Sequence, residues 1–168
     1  MPHASTARSR AFAAAVLLAL GLAPTPGGAA SGPRTVPYWA SLAAGQARMR
    51  TGPGRNYPAS WLYQRTGLPV RVIETYPGWR KVRDQDGTEG WMIGNLVSDQ
   101  RTGVVRGGIA ELRDAPDPGS KVMWRAEPGV IGRLSHCGSG WCRIDVAGRA
   151  GYVETDHLWG LDPDEKID

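Results

Sequence analysis

The sequence has a single Phe, only two Cys and no apolar run long enough to cross a membrane. Its longest apolar run covers about a dozen residues, at positions 11–22, whereas a membrane-spanning helix needs about 20. After residue 30, no long stretch free of Gly and Pro shows a convincing helical period. These absences exclude a transmembrane bundle, a coiled coil and the core of a large α/β enzyme.

Catalytic motifs are also missing. The sequence contains neither the G-x-S-x-G of serine hydrolases, nor the H-E-x-x-H of zinc proteases, nor a glycine-rich phosphate loop. We therefore predict a protein that is not an enzyme and uses no cofactor. The Lys and Arg residues form no cluster, so no nucleic-acid partner is expected. An enzyme of unrecognised type and a nucleic-acid binder are the weaker alternatives.

The first 30 residues follow the order of regions found in a secretory signal peptide. Residues 1–10 carry two Arg and no acidic residue, residues 11–22 are apolar, and residues 23–30 are small and rich in turn formers. We predict export to the periplasm or the extracellular space, with cleavage near residue 30 and no stable membrane insertion afterwards. An N-terminal anchor helix is the alternative. Without the two Arg of residues 1–10, the formal net charge falls from +4 to +2.

The rest of the chain contains one unit twice. Three aligned pairs of segments show this, at offsets of 63, 62 and 61: residues 47–54 (ARMRTGPG) with 110–117 (AELRDAPD), 78–82 (GWRKV) with 140–144 (GWCRI), and 90–92 (GWM) with 151–153 (GYV). The offset shrinks by one residue at a time and only between these segments. A duplication whose loops have changed length has this signature.

Both copies are predicted to be β-structure. Apolar and polar residues alternate with a period of two in Ala47–Arg50 and at residues 70–72, and Gly- and Pro-rich turns separate such runs. Short strands with frequent turns are typical of small barrels. We predict an all-β fold of two tandem small β-barrels, at residues 31–100 and 101–160, followed by a disordered acidic tail at residues 161–168.

Three motifs carry a resemblance to a known family. Residues 49–58 (MRTGPGRNYP), 78–82 (GWRKV) and 90–92 (GWM) resemble the bacterial SH3-like family, the small barrels of secreted and cell-envelope proteins. The resemblance implies that the fold is two tandem small SH3-like β-barrels. In the second copy, Ala115 stands in place of Gly52 and the Tyr57-Pro58 pair has no counterpart. The resemblance implies that the domains recognise cell-wall peptide or glycan in a groove bordered by the loop at residues 51–58.

In the first copy, the residues of this loop and of the following strand form the predicted ligand site. Aromatic rings offer stacking surfaces and a guanidinium suits a wall carboxylate. The predicted set is Arg55, Tyr57, Trp61 and Tyr63. Packing of Trp61 and Tyr63 against the barrel is the alternative. Gly52 and Gly54 are expected to permit the positive φ of a rigid turn.

Cys137 and Cys142 flank a Gly-Ser-Gly-Trp segment. In a hairpin their Cβ atoms would lie opposite each other, about 4.5–5.5 Å apart, and a modest twist would close a disulfide. Export supplies the oxidising compartment, so we predict a structural disulfide. A zinc site with His136 and His157 is the alternative. It is disfavoured because His136 and Cys137 would point to opposite faces of one strand, and no metal is predicted.

The two copies differ in charge. Residues 31–100 carry a net charge of +4, whereas residues 101–168 carry −2. The arginines of the first copy could face an anionic polymer, and scattered solvated arginines are the alternative. The leading hypothesis is an exported non-catalytic binding module whose partner is peptidoglycan. The second hypothesis is an interaction scaffold or regulator that binds a cell-envelope protein.

Overall fold

The computed structural model describes Met1 and residues 34–168. The predicted signal peptide lies, apart from Met1, outside the described residues. Along those residues, no helix has the length and apolarity required to cross a membrane. The described chain is all-β, with two single turns of 3₁₀ helix at Gly94–Leu96 and Thr155–His157.

The first barrel is a seven-stranded antiparallel sheet with the order β3-β2-β6-β5-β4-β1-β7. Tight turns separate its strands, and buried side chains alternate with more exposed ones at residues 47–50 and 70–72, as the sequence predicts. They are β1 (Tyr38–Leu42), β2 (Ala47–Arg50), β3 (Ala59–Tyr63), β4 (Pro69–Tyr76), β5 (Trp79–Arg83), β6 (Glu89–Ile93) and β7 (Val97–Ser98).

The second barrel repeats this topology strand for strand, with the order β10-β9-β13-β12-β11-β8-β14. Its strands are β8 (Thr102–Val105), β9 (Ala110–Arg113), β10 (Val122–Ala126), β11 (Ile131–Gly138), β12 (Trp141–Val146), β13 (Arg149–Glu154) and β14 (Leu158–Trp159). The predicted all-β fold of two tandem barrels is confirmed. The predicted boundary at residues 100 and 101 falls between β7 and β8.

Each barrel has a core of its own. In the first barrel, Met49, Val70, Val72, Val82 and Met92 are fully buried. The second barrel buries the corresponding set around Leu112, Leu134, Ile144 and Val153. A sixty-residue unit buries only about 60% of its unfolded surface, and each barrel accordingly has a small core.

The predicted disulfide is present. Cys137 and Cys142 are joined with an S–S distance of 2.05 Å. They lie side by side on β11 and β12, next to the paired residues Gly138 and Trp141. The turn between the strands consists of Ser139 and Gly140, both with positive φ, as a two-residue hairpin turn requires.

The acidic tail is ordered, and the expectation of a disordered end is wrong. The backbone of Ile167 pairs with Cys137 through N–O distances of 2.8 and 3.2 Å, and its side chain packs on the second core. Asp162 forms an ion pair with Arg71 of the first barrel. The tail therefore contacts both barrels, because its carboxylates form ion pairs with Arg71 and Arg101, whose side chains are largely buried.

Candidate ligand-binding site

The loop at residues 51–58 is closed by its own backbone. The Thr51 N–H donates to the Pro58 carbonyl at 3.1 Å, and the Tyr57 N–H donates to the Gly54 carbonyl at 3.3 Å. The Tyr57 ring covers Gly52 so closely that a Cβ there would lie 2.4 Å from Tyr57 Cδ1. Neither Gly52 nor Gly54 has a positive φ, so the predicted reason for these glycines is wrong. At Gly52 the aromatic ring occupies the space of a side chain, whereas at Gly54 a Cβ would lie 2.5 Å from Asn56 Oδ1.

Three of the four predicted site residues are exposed. Arg55 lies at the surface of the loop, Tyr57 is 43% exposed and Trp61 is 58% exposed. Tyr63 is in the core, with 7% exposure, so its ring is not available for stacking and the alternative of barrel packing applies to it.

The hydroxyl of Tyr63 forms a buried hydrogen bond. It donates a hydrogen bond to Asp84 Oδ2 at 2.6 Å. Burial raises the pKa of Tyr63 well above its ordinary value, and the adjacent Asp84 carboxylate raises it further. Tyr63 is therefore a neutral hydrogen-bond donor that fixes the loop of Asp84 to β3.

The outer face of β2 and β3 forms a groove of about 190 Å³. We call it the arginine groove. Three guanidinium groups and an apolar wall line it together with one amide: Gln46, Arg48, Arg50, Arg55, Leu62, Ile93 and Leu96. Trp61 and Leu62 are neighbours on β3 and therefore face opposite sides of the strand. The structure thus separates Trp61 from Arg55, although the sequence placed them in one site.

Within the described part of the chain, the cations of the arginine groove lack ionic partners. Among residues 34–168, no carboxylate lies within 4.0 Å of Arg48, Arg50 or Arg55. Arg50 Nη1 donates to the Tyr57 carbonyl at 2.7 Å, which anchors the guanidinium against the loop. An anchored guanidinium with free N–H groups is suited to bind an oxyanion.

The second barrel has a groove at the equivalent place. Ile109, Glu111, Arg113, Arg125, Trp141, Glu154 and His157 line its volume of about 410 Å³. Glu111 Oε2 accepts from Arg113 Nη2 at 2.6 Å, and Glu111 Oε1 lies 3.2 Å from Arg125 Nη2. This groove therefore contains its own carboxylate.

Sequence reasoning left three residues of these surfaces out of the predicted site, although Arg48 was among the first-copy arginines that could face an anionic polymer. Arg48 and Arg50 were visible as the polar positions of the alternating segment at residues 47–50. Trp124 lies 63 residues after Trp61, at the same place on β10 as Trp61 has on β3, and it is 42% exposed. The repeat offset alone could have identified it.

The described residues contain no group of three His, Cys, Asp or Glu side chains that could hold a metal ion. Both cysteines belong to the disulfide, and His136 is exposed on the far side of its strand. The zinc alternative built on these residues therefore has no support within the described part of the chain.

The family model of the bacterial SH3 domain matches residues 43–99 and 106–160. The chain belongs to the bacterial SH3 domain family. Members of this family are generally binding modules. One matched segment runs from β2 to β7 and the other from β9 to β14, so the duplication read from the sequence is a tandem of bacterial SH3 domains.

Solved structures similar to this tandem include two proteins from Trichomonas vaginalis and one from Bacillus cereus ATCC 10987. NlpC2 from Trichomonas vaginalis is 14% identical with a TM-score of 0.33, covering 78% of this chain and 52% of its own. NlpC1 from Trichomonas vaginalis is 16% identical with a TM-score of 0.32, and the match covers 77% of this chain and 48% of NlpC1. The NlpC/P60 family protein from Bacillus cereus ATCC 10987 is 13% identical with a TM-score of 0.34, and the match covers 73% of this chain and 56% of that protein. This chain thus spans about half the length of these structures. No curated protein matches it.

Proposed function

We propose that this protein is an exported, non-catalytic binding module that recognises cell-wall peptide or glycan through its first SH3 domain. The observation that carries the proposal is the exposed loop at residues 51–58. The loop exposes the Tyr57 ring, and the Tyr57 carbonyl accepts a hydrogen bond from Arg50 of the arginine groove. The three guanidinium groups of this groove have no ionic partner among residues 34–168. A surface of aromatic and cationic groups suits a polymer that offers apolar faces and carboxylates.

The disulfide supports export, since structural disulfides form and persist in oxidising compartments. The bacterial SH3 domain family supports a binding role, and the chain displays no catalytic motif in its sequence. A scaffold that binds a cell-envelope protein is the second candidate. The exposed Trp61 and Trp124, at equivalent positions of the two barrels, favour it because exposed aromatic side chains frequently anchor protein interfaces.

Co-sedimentation of the protein with purified peptidoglycan, with and without about 0.5 M salt, tests the proposal. At this salt concentration exposed charges are screened within a few ångströms, so retention that persists requires more than basic charge. We expect salt-resistant retention, and about tenfold weaker retention for Tyr57→Ala. Tyr76→Ala, which removes an exposed Tyr outside the loop, is the matched control and should bind like the wild type.

Failure of peptidoglycan to retain the folded wild-type protein would refute wall binding and favour the protein scaffold. Trp61→Ala separates the two faces of β3. Loss of retention with Trp61→Ala but not with Tyr57→Ala would move the site from the loop to the other face of the strand. Circular dichroism of each variant confirms that the barrels remain folded.

A further inference from the structure

The two barrels hold one arginine in the same way. Arg50 and Arg113 are repeat-equivalent, and each donates Nη1 to the carbonyl of an equivalent loop residue. Arg50 bonds the Tyr57 carbonyl at 2.7 Å and Arg113 bonds the Ser120 carbonyl at 2.6 Å. The guanidinium therefore has the same attachment in both domains, which makes the second barrel a guide to what the first can bind.

The free side of this guanidinium differs between the barrels. In the second barrel, Arg113 Nη2 binds the Glu111 carboxylate at 2.6 Å, and Arg125 holds the other oxygen at 3.2 Å. In the first barrel, the residue equivalent to Glu111 is Arg48. Arg50 consequently has no carboxylate partner within 4.0 Å among residues 34–168, and Arg48 and Arg55 add two further positive charges around the same space.

From this difference we infer that the arginine groove of the first domain binds an external carboxylate on Arg50, at the place that Glu111 occupies in the second domain. The second groove is closed to such ligands by its own Glu111. The two domains thus share a fold and differ in binding, because the first domain has Arg48 at the place where the second domain has Glu111.

The remaining wall of the groove indicates what accompanies the carboxylate. Leu62, Ile93 and Leu96 line the same volume of about 190 Å³ as the cations, and Leu62 is the cross-strand neighbour of Arg48. Leu62 stands where the second domain has Arg125, so the first domain has an apolar side chain where the second has a guanidinium. A carboxylate next to a small apolar group fits this arrangement, and the carboxyl terminus of a peptide ending in a small apolar residue has that chemistry.

This inference deepens the proposed function and rests on its assignment of binding to the first domain. The two can fail separately, because small carboxylates test the groove without any cell wall. A groove that binds carboxylates in a protein that peptidoglycan does not retain would support the groove and refute wall binding. Retention by peptidoglycan with no carboxylate binding would support wall binding and refute the carboxylate site in the groove.

The test is an NMR titration of the ¹⁵N-labelled protein with N-acetyl-Ala-Ala bearing a free carboxyl terminus. The same peptide as a carboxyl-terminal amide is the matched ligand, and glucuronate and methyl phosphate are the other two. We expect shifts of the Arg50 Nε–H and Tyr57 N–H signals, with affinity at least tenfold weaker for the amide, as expected when a charge-assisted hydrogen bond is lost.

Each ligand has a distinct meaning. Glucuronate that binds at the same signals would support the carboxylate site and assign its source to an acidic sugar. Equal affinity for acid and amide, tighter binding of methyl phosphate, or shifts confined to the second domain would overturn the inference.

Arg48→Glu recreates in the first domain the carboxylate of the second. We expect this variant to bind the acid at least tenfold more weakly, since its own carboxylate occupies Arg50. Arg106→Glu makes the same charge change at an exposed arginine outside the groove and should bind like the wild type. In the opposite direction, Glu111→Gln should give the second domain carboxylate-dependent shifts that it otherwise lacks. Equal losses in Arg48→Glu and Arg106→Glu would show attraction by net charge alone and overturn the site.

Discussion

Glu165 fixes the C-terminal tail to the segment between the two domains, and its replacement by Gln measures how much this contact stabilises the tandem. Its carboxylate accepts hydrogen bonds from both terminal nitrogens of Arg101, the Nη2 contact being 3.0 Å, and from the Asp162 N–H at 3.0 Å. The side chains of Arg101 and Glu165 are 20% and 23% exposed, so solvent screens the pair only in part.

The expected loss follows from these contacts. A hydrogen bond to a charged partner contributes about 1.5–3 kcal/mol, and an exposed ion pair contributes about 0–1 kcal/mol. Glu165→Gln keeps one acceptor oxygen and removes the charge, so we expect a decrease of about 2 kcal/mol in the free energy of unfolding. Urea denaturation followed by tryptophan fluorescence measures it. Glu89→Gln is the matched control, because Glu89 pairs with an Arg83 that is 51% exposed, and it should lose less stability than Glu165→Gln because solvent screens an exposed pair.

The contribution of Glu165 should also depend on pH. Burial by itself would raise the pKa of Glu165, but hydrogen bonds from Arg101 and the Asp162 N–H outweigh it and hold the pKa below its ordinary value of 4.5. A lowered folded-state pKa means that the stabilisation is complete above the unfolded-state value and is lost as the pH falls through the folded-state value. The difference between wild type and Glu165→Gln should therefore be constant near neutrality and shrink below pH 4.5. Equal stability of the two proteins at pH 7, or a loss no larger than that of Glu89→Gln, would refute the reasoning.

Two further predictions concern the disulfide and the loop. Replacement of Cys137 and Cys142 by Ser should lower the free energy of unfolding by about 2 kcal/mol, because a loop this short constrains little chain entropy; a loss above about 4 kcal/mol in urea denaturation would contradict the entropic account. Gly52→Ala should displace the Tyr57 ring, since the new Cβ would lie 2.4 Å from it, and should weaken retention by peptidoglycan about as much as Tyr57→Ala does. Gly108→Ala, where a Cβ meets nothing within 4 Å, is the control, and equal effects of the two alanines would count against the packing role of Gly52.

The sequence alone determined the duplication, the strand content and the disulfide. Each depends on local features: a repeat offset, alternation with a period of two, and two cysteines spaced to face each other across a hairpin turn. Tyr57 and Arg55 could likewise be placed on an exposed loop, since Gly-Pro-Gly and Tyr-Pro break the strands around it. Such features can be recognised without knowledge of the tertiary fold, because they involve residues close in the chain.

Only the tertiary structure decided how these residues are grouped. It placed Trp61 on the face of β3 opposite the arginine groove, and it buried Tyr63 against Asp84. It ordered the acidic tail by pairing Asp162 with Arg71, 91 residues earlier in the chain. It also showed that Glu111 occupies in one domain the site that is open in the other. These outcomes depend on which side chains distant strands and loops bring within hydrogen-bond distance, and neither alternation nor composition contains that information.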